Sequence, residues 1–164
     1  MMGTTSSTAV VTLPTDTQIL ITRTFNAPRH LVFRASTEPE LIKRWWHGGH
    51  GEMTVAEVDL RVGGKWRYAL VTPEGYEVGF HGEYLEIVPN ERVVNTEAFE
   101  GIPDPDGNAA VCTYEFTEAE GRTSLRVLIE HKTAEGRDAH IGSGMESGMQ
   151  KGMDLLEETA VSLT

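Results

Sequence analysis

Residues 143–163 read SGMESGMQKGMDLLEETAVSL. Met145, Met149, Met153, Leu156, Ala160 and Leu163 follow one another by four, four, three, four and three residues, the spacing of one face of an α-helix. The stripe covers about 18 residues, or roughly 28 Å at 1.5 Å per residue. Ser143 and Glu146 have the spacing of a capping box at its start. Glu146, Gln150, Lys151, Asp154, Glu157 and Glu158 are expected to lie away from the stripe. A helix this long with one apolar face needs an equally long apolar surface to cover it.

The stretch before it supplies that surface. Residues 53–60, 65–71, 78–88, 92–99, 109–117 and 123–132 alternate as strands, with Pro73, Gly75, Pro89, Asn90 and Gly121 in the short connections between several of them. Short connections between consecutive strands give an antiparallel meander. Upstream, residues 18–25 alternate Ile19, Ile21, Arg23 and Phe25 against Leu20, Thr22 and Thr24, a further strand. Asn26-Ala27-Pro28 then opens a short helix to about Ser36. Thr37 and Glu40 mark a second short helix carrying Leu41, Ile42, Trp45 and Trp46, closed by Gly48-Gly49. The expected fold is therefore α+β: an antiparallel sheet of six to seven strands against one long C-terminal helix, with two short helices after the first strand. Residues 1–16, rich in Thr and Ser, are expected as a flexible tail, and residues 17–164 as a single domain.

Composition narrows the function. The chain has 164 residues, 39% of them apolar, and a formal net charge of −11. Such a surface repels nucleic acid and anionic bilayers, so neither is expected as a partner. No apolar run approaches the ~20 residues of a membrane span, and a cytoplasmic location is expected. Cys112 is the only cysteine, which excludes an intrachain disulfide. The GxxxxGK[ST] phosphate loop and a nucleophile elbow are absent from the sequence. No catalytic residues are assigned, and no cofactor is expected.

Three features could carry chemistry. Gly144, Gly148 and Gly152 each precede a methionine of the long helix, at about 1 kcal/mol each relative to Ala in a helix interior. They imply close approach of another backbone, the sheet being the first choice, or volume left for a ligand that methionine side chains mould themselves around. Aromatic residues Trp45, Trp46, Trp66, Tyr68, Phe80, Tyr84 and Phe99 could wall a cavity or fill a core. His131 is in register with Leu125, Val127 and Ile129 and so points inward; the facing of His81 stays open. His47-Gly-Gly-His50 matches no zinc signature, and no metal is expected. Glu52, Glu57, Asp59, Glu83, Glu86 and Glu97 read as solvated face residues, one of which would pair with an inward Arg23.

The expected ligand-binding residues are Trp45, Trp46, Trp66, Tyr68 and Phe80 on the wall, His131 as a polar contact, and Met145, Met149 and Met153 on the helix. The expected ligand is a small apolar or aromatic molecule. An enzyme using the same pocket through His131 or His81, and a dimerising or chaperone-associated interaction protein, are the alternatives.

Several segments resemble one family. These are Phe25-Asn26-Ala27-Pro28-Arg29-His30-Leu31-Val32-Phe33, residues 38–46 (EPELIKRWW), residues 60–66 (LRVGGKW), residues 82–94 (GEYLEIVPNERVV) and Gly144-Met145-x-x-Gly148-Met149. Together they resemble the START-like helix-grip superfamily, in the branch of bacterial homologues of the heat shock protein 90 ATPase activator. Met149 stands where Trp is usual in that pattern. The resemblance implies a cavity between sheet and long helix that takes a lipid, polyketide or flavonoid-like molecule. Cyclase or hydrolase activity in some relatives, and a chaperone partner, come with the same resemblance.

Overall fold

The structure is a computed structural model, described here for residues 8–164. Residues 1–7 of the expected tail lie outside the described part. The elements are β1 (Val10–Thr12), β2 (Gln18–Phe25), α1 (Arg29–Thr37), α2 (Pro39–Ile42), β3 (Glu52–Val58), β4 (Lys65–Val71), β5 (Glu77–Val88), β6 (Arg92–Phe99), β7 (Ala110–Ala119), β8 (Arg122–Glu130), α3 (Ala134–Gly142) and α4 (Met145–Val161). All eight strands form one antiparallel sheet in the order β1-β2-β8-β7-β6-β5-β4-β3. The α+β architecture and the long C-terminal helix agree with the sequence.

Two elements were not foreseen. Val10–Thr12, inside the expected tail, pairs with β2 through Val11 opposite Ile21. Three residues are too few to show a period. α3 is absent from the sequence reading because none of its residues is buried, so it has no apolar stripe. Thr133 caps it, accepting from the Gly136 N–H at 2.9 Å.

Both expected capping boxes are replaced by other geometry. Thr37 ends α1 with its hydroxyl donating to the Phe33 carbonyl at 2.8 Å. Ser143 likewise donates back to the His140 carbonyl at 2.6 Å, and Gly144 at φ +82° takes the N-cap of α4. That left-handed turn is one glycine is suited to make.

The core lies between one face of the sheet and the helices. Ile19, Ile21 and Phe25 of β2, Phe116 of β7, and Leu125, Val127 and Ile129 of β8 meet Met153, Leu156 and Ala160 of α4. Val32 and Phe33 of α1 and Ile42 of α2 close the same cluster. Register thus sorts the inner face, since residues of one parity on each strand look toward α4.

Arg23 shares that inner parity and is buried, as expected, but its partners are not strand carboxylates. Its guanidinium binds Asp154 at 2.7 Å and Glu157 at 3.1 Å, both on α4. The second oxygen of Glu157 accepts the Asn26 N–H at 2.8 Å. Glu157 is buried, against the expectation that it points away. It lies four residues after Met153 and so shares its face. One buried carboxylate therefore ties the helix to β2 and to the loop that opens α1.

Candidate functional site on the inner face

The glycine ridge of α4 faces a loop rather than the sheet or an open volume. A Cβ on Gly152 would stand 3.3 Å from the Trp45 carbonyl, and one on Gly148 would stand 2.6 Å from His50 Nε2. Gly48 itself has φ +57°, and a Cβ there would stand 2.5 Å from the Gly148 carbonyl oxygen. The 45–50 loop is thereby pressed onto the start of α4. Gly48→Ala should cost about 2–4 kcal/mol, from the left-handed φ and a clash with backbone. Gly148→Ala should be near neutral or stabilising, because the exposed His50 ring can swing away and Ala favours the helix. Thermal melts of the two variants check this; equal losses would contradict the close approach.

That loop positions the tryptophans. Trp45 donates from its indole to the Ala35 carbonyl at 2.9 Å, which anchors the loop to α1. Trp46 turns its ring onto the inner face, edge-on to Tyr68 at 5.2 Å and to Phe80 at 4.9 Å between centroids. Trp66 lies 4.5 Å from Tyr68. Trp46, Trp66, Tyr68 and Phe80 are thus one aromatic cluster across β4 and β5. Met145 and Met149 pack against the core as partly buried side chains, and Met153 is buried in it.

His131 falls at the other side of the sheet. Its Nε2 is 3.0 Å from Nδ1 of His140 on α3. Burial lowers the pKa of both rings, that of His140 to about 4, and the facing ring adds to the His140 shift. Both are therefore neutral at pH 7 and share one N–H between two ring nitrogens. His81 points to the outer face, where it bridges Glu100 at 2.8 Å and Asp106 at 2.6 Å, with Arg67 2.8 Å from Glu100. Hydrogen bonds to these two acids raise its pKa, while Arg67 and His81 together hold Glu100 down at about 2.

The sequence missed the polar half of the inner face. Between the paired residues His81–Ala98 and Tyr84–Asn95, side chains replace part of the β5–β6 ladder. The Trp66 indole crosses β5 at Gly82 and donates to the Thr96 carbonyl at 3.1 Å. Asn95 Nδ2 donates to the same oxygen at 3.0 Å, and Thr96 Oγ1 accepts the Glu83 N–H at 2.9 Å. A Cβ at residue 82 would collide with both that carbonyl and the indole, so glycine is required there.

At this break Glu97 shares inner parity with Val93 and Asn95, opposite Ala110 of β7. Its charge acts on Tyr68, Cys112 and Tyr114, which places the carboxyl among inner-face groups. It has no hydrogen-bond partner among the described residues, and burial alone raises its pKa to about 7. Burial also raises Tyr68 and Tyr114, and brings Tyr84, beside the Tyr68 hydroxyl, to about 12.

Among the described residues only Arg23 Nε is a fully shielded, unpaired side-chain nitrogen or oxygen. The Glu97 carboxyl is half-buried, and the Tyr68 and Tyr84 hydroxyls face each other. The same core cluster holds Trp46, Trp66, Tyr68, Phe80, Tyr84 and Tyr114 together with Met145, Met149 and Met153 of α4. By contrast, a groove of about 450 Å³ on the outer face is open to solvent and lined by side chains such as Thr22, Thr24 and Thr117 and the Arg126–Glu115 ion pair. Among the described residues no group of three or more His, Cys, Asp or Glu could hold a metal, and no helix is long and apolar enough to cross a membrane.

Known proteins repeat this architecture. The model of the family described as "Activator of Hsp90 ATPase homolog 1-like protein" matches residues 26–160. Among solved structures, a Rhodobacter sphaeroides protein is 24% identical, with a TM-score of 0.84 over 94% of this chain and 99% of that one. A Nitrosomonas europaea protein is 25% identical, with a TM-score of 0.80 over 92% and 97%. A Staphylococcus epidermidis protein is 26% identical, with a TM-score of 0.79 over 94% and 95%. No curated protein matches the chain.

Proposed function

The chain belongs to the Activator of Hsp90 ATPase homolog 1-like family, and from that premise we propose that it binds a small, largely apolar molecule between the sheet and α4. One observation supports this reading: Glu97, half-buried and without a hydrogen-bond partner among the described residues, shares the inner face of the sheet with an aromatic and methionine-rich cluster. An unpaired buried polar group costs about 1–3 kcal/mol, a cost that a ligand or water meeting it removes. The apolar wall would drive binding at about 25 cal/mol per Å² of ligand surface covered. Trp46, Trp66, Tyr68, Phe80, Met149 and Met153 are its assigned wall. Trp45 and His131 act at a distance in this reading, one holding the loop and the other bonded to His140. The family fold is compatible with such a role and names no ligand.

The neutral probe N-phenyl-1-naphthylamine tests it. Its fluorescence should rise on saturable binding, and the melting temperature should climb with probe concentration, as for any ligand selective for the native state. Met149→Trp should weaken binding about tenfold or more by filling the space. Probe uptake unaffected by Met149→Trp, with no thermal shift, would overturn the reading.

A further inference from the structure

His81 on β5 joins two carboxylates from opposite ends of one connection. It stands directly opposite Arg67 of β4 in the ladder, on the face away from α4. Its Nδ1 is 2.8 Å from Glu100 Oε2, and its Nε2 is 2.6 Å from Asp106 Oδ1. Residues 100–109 link β6 to β7, so the ring fastens both the start and the far part of this link to β5.

The two carboxylates are held unequally. Arg67 donates to both Glu100 oxygens, from Nε at 2.9 Å and from Nη2 at 2.8 Å. The Glu100 carboxyl rests over Gly79, where a Cβ would collide with it, and the Glu100 N–H donates to the Gly79 carbonyl at 2.9 Å. Asp106 is 83% exposed, and among the described residues its carboxylate has no donor besides the ring. Elsewhere the link is tied by the exposed Lys132, whose Nζ donates to the Gly107 carbonyl at 2.7 Å. Asp104 closes the turn on itself, accepting the Gly107 N–H at 3.2 Å.

The number of ring protons decides what is held. An imidazolium has two N–H donors and meets both carboxylates, whereas a neutral ring has one. The neutral ring keeps its Nδ1–H on Glu100, which Arg67 fixes in place, and turns a lone pair from Nε2 toward Asp106. An exposed carboxylate facing a lone pair turns to water at little cost.

We propose that His81 is a pH-operated latch on residues 101–108: the doubly protonated ring holds Asp106 and this link down on β5, and the singly protonated ring releases them. The charged groups facing the ring are Arg67 from β4, Glu100 at the end of β6 and Asp106 from the link. Glu77 of β5 meets Arg67 at 3.3 Å. Hydrogen bonds to Glu100 and to Asp106 raise the pKa of the ring above its ordinary 6.5. The latch is therefore closed at pH 6 and opens as pH climbs through the raised value. It is independent of the ligand reading, because His81 faces away from α4.

Methyl NMR on the full chain at pH 6 and pH 9 tests it. Ile102 lies in the link, and buried Ile129 of β8 serves as the fixed reference. The Ile102 methyl order parameter should fall by roughly a third between the two pH values, with the midpoint of the His81 ring titration, while Ile129 stays constant. Asp106→Asn should keep the link held at both, since an amide can donate to the neutral Nε2 and accept from the charged one. His81→Ala should leave it free at both. An Ile102 order parameter equal at pH 6 and pH 9 in the parent protein overturns the latch. So does a midpoint different from that of the His81 ring, or a variant that keeps the parent's pH dependence.

Discussion

Glu97→Gln should make the protein more stable than its parent at pH 8 and nearly equal to it at pH 5. The sign follows from linkage. The Glu97 carboxyl has its pKa raised by burial from 4.5 to about 7 in the folded chain. A group whose folded pKa is raised favours folding below its unfolded pKa and loses that contribution as pH climbs through the folded value. At 1.36 kcal/mol per pKa unit, the loss between about pH 4.5 and 7 is at most about 3 kcal/mol, reduced by whatever water reaches the site. Glutamine has the same shape and does not titrate. His81, with its raised pKa, loses stability in the same direction. It is present in both proteins, so the difference between them isolates Glu97. Glu100, held at about 2, acts only as pH falls through the acid range and stays outside this window. Urea unfolding at pH 5, 6, 7 and 8 measures it. A constant offset between the two proteins would show that Glu97 is solvated or paired.

Arg23→Leu should cost about 3–5 kcal/mol, or roughly 10 °C in melting temperature for a chain this long. The guanidinium is fully shielded and Glu157 nearly so, while Asp154 is 55% exposed. Removing the arginine leaves the Glu157 carboxylate buried against the Asn26 N–H alone. Adding Glu157→Gln should recover more than half the loss, since the amide oxygen still accepts from Asn26 and no buried charge remains. If the single variant loses less than about 1 kcal/mol, water reaches Glu157 and the clamp between β2 and α4 is a surface feature.

These two residues show what the sequence carries and what it hides. Alternation assigns Arg23 to the inner face because Ile19, Ile21 and Phe25 share its parity. Its partners lie 131 and 134 residues away, where no local pattern connects them. Glu157 looks solvated because it follows the apolar stripe by one residue, yet the broad face of α4 includes it. Glu97 is harder to read. In β6 the apolar residues Val93 and Phe99 fall on one parity and Val94 and Ala98 on the other, so alternation does not say which face is inner. The break beside Gly82 is set by a tryptophan from a third strand, again a long-range cause.

The helix and the meander were legible because their signals are periodic over many residues. The glycines were legible as a close contact but not as a contact with the 45–50 loop. Trp46, Trp66, Tyr68 and Phe80 are suggested by residue type; strand register brings Trp66, Tyr68 and Phe80 together, and the 45–50 loop adds Trp46.

Methionine-methyl NMR with N-phenyl-1-naphthylamine tests the central claim most directly. Met53 on β3 and Met145 and Met149 on α4 pack against the core from opposite sides of the proposed space. A molecule held between sheet and helix should shift the Met53 and Met149 methyl signals together, with one dissociation constant. Shifts confined to one side, or none at saturating probe, would contradict an inner ligand site.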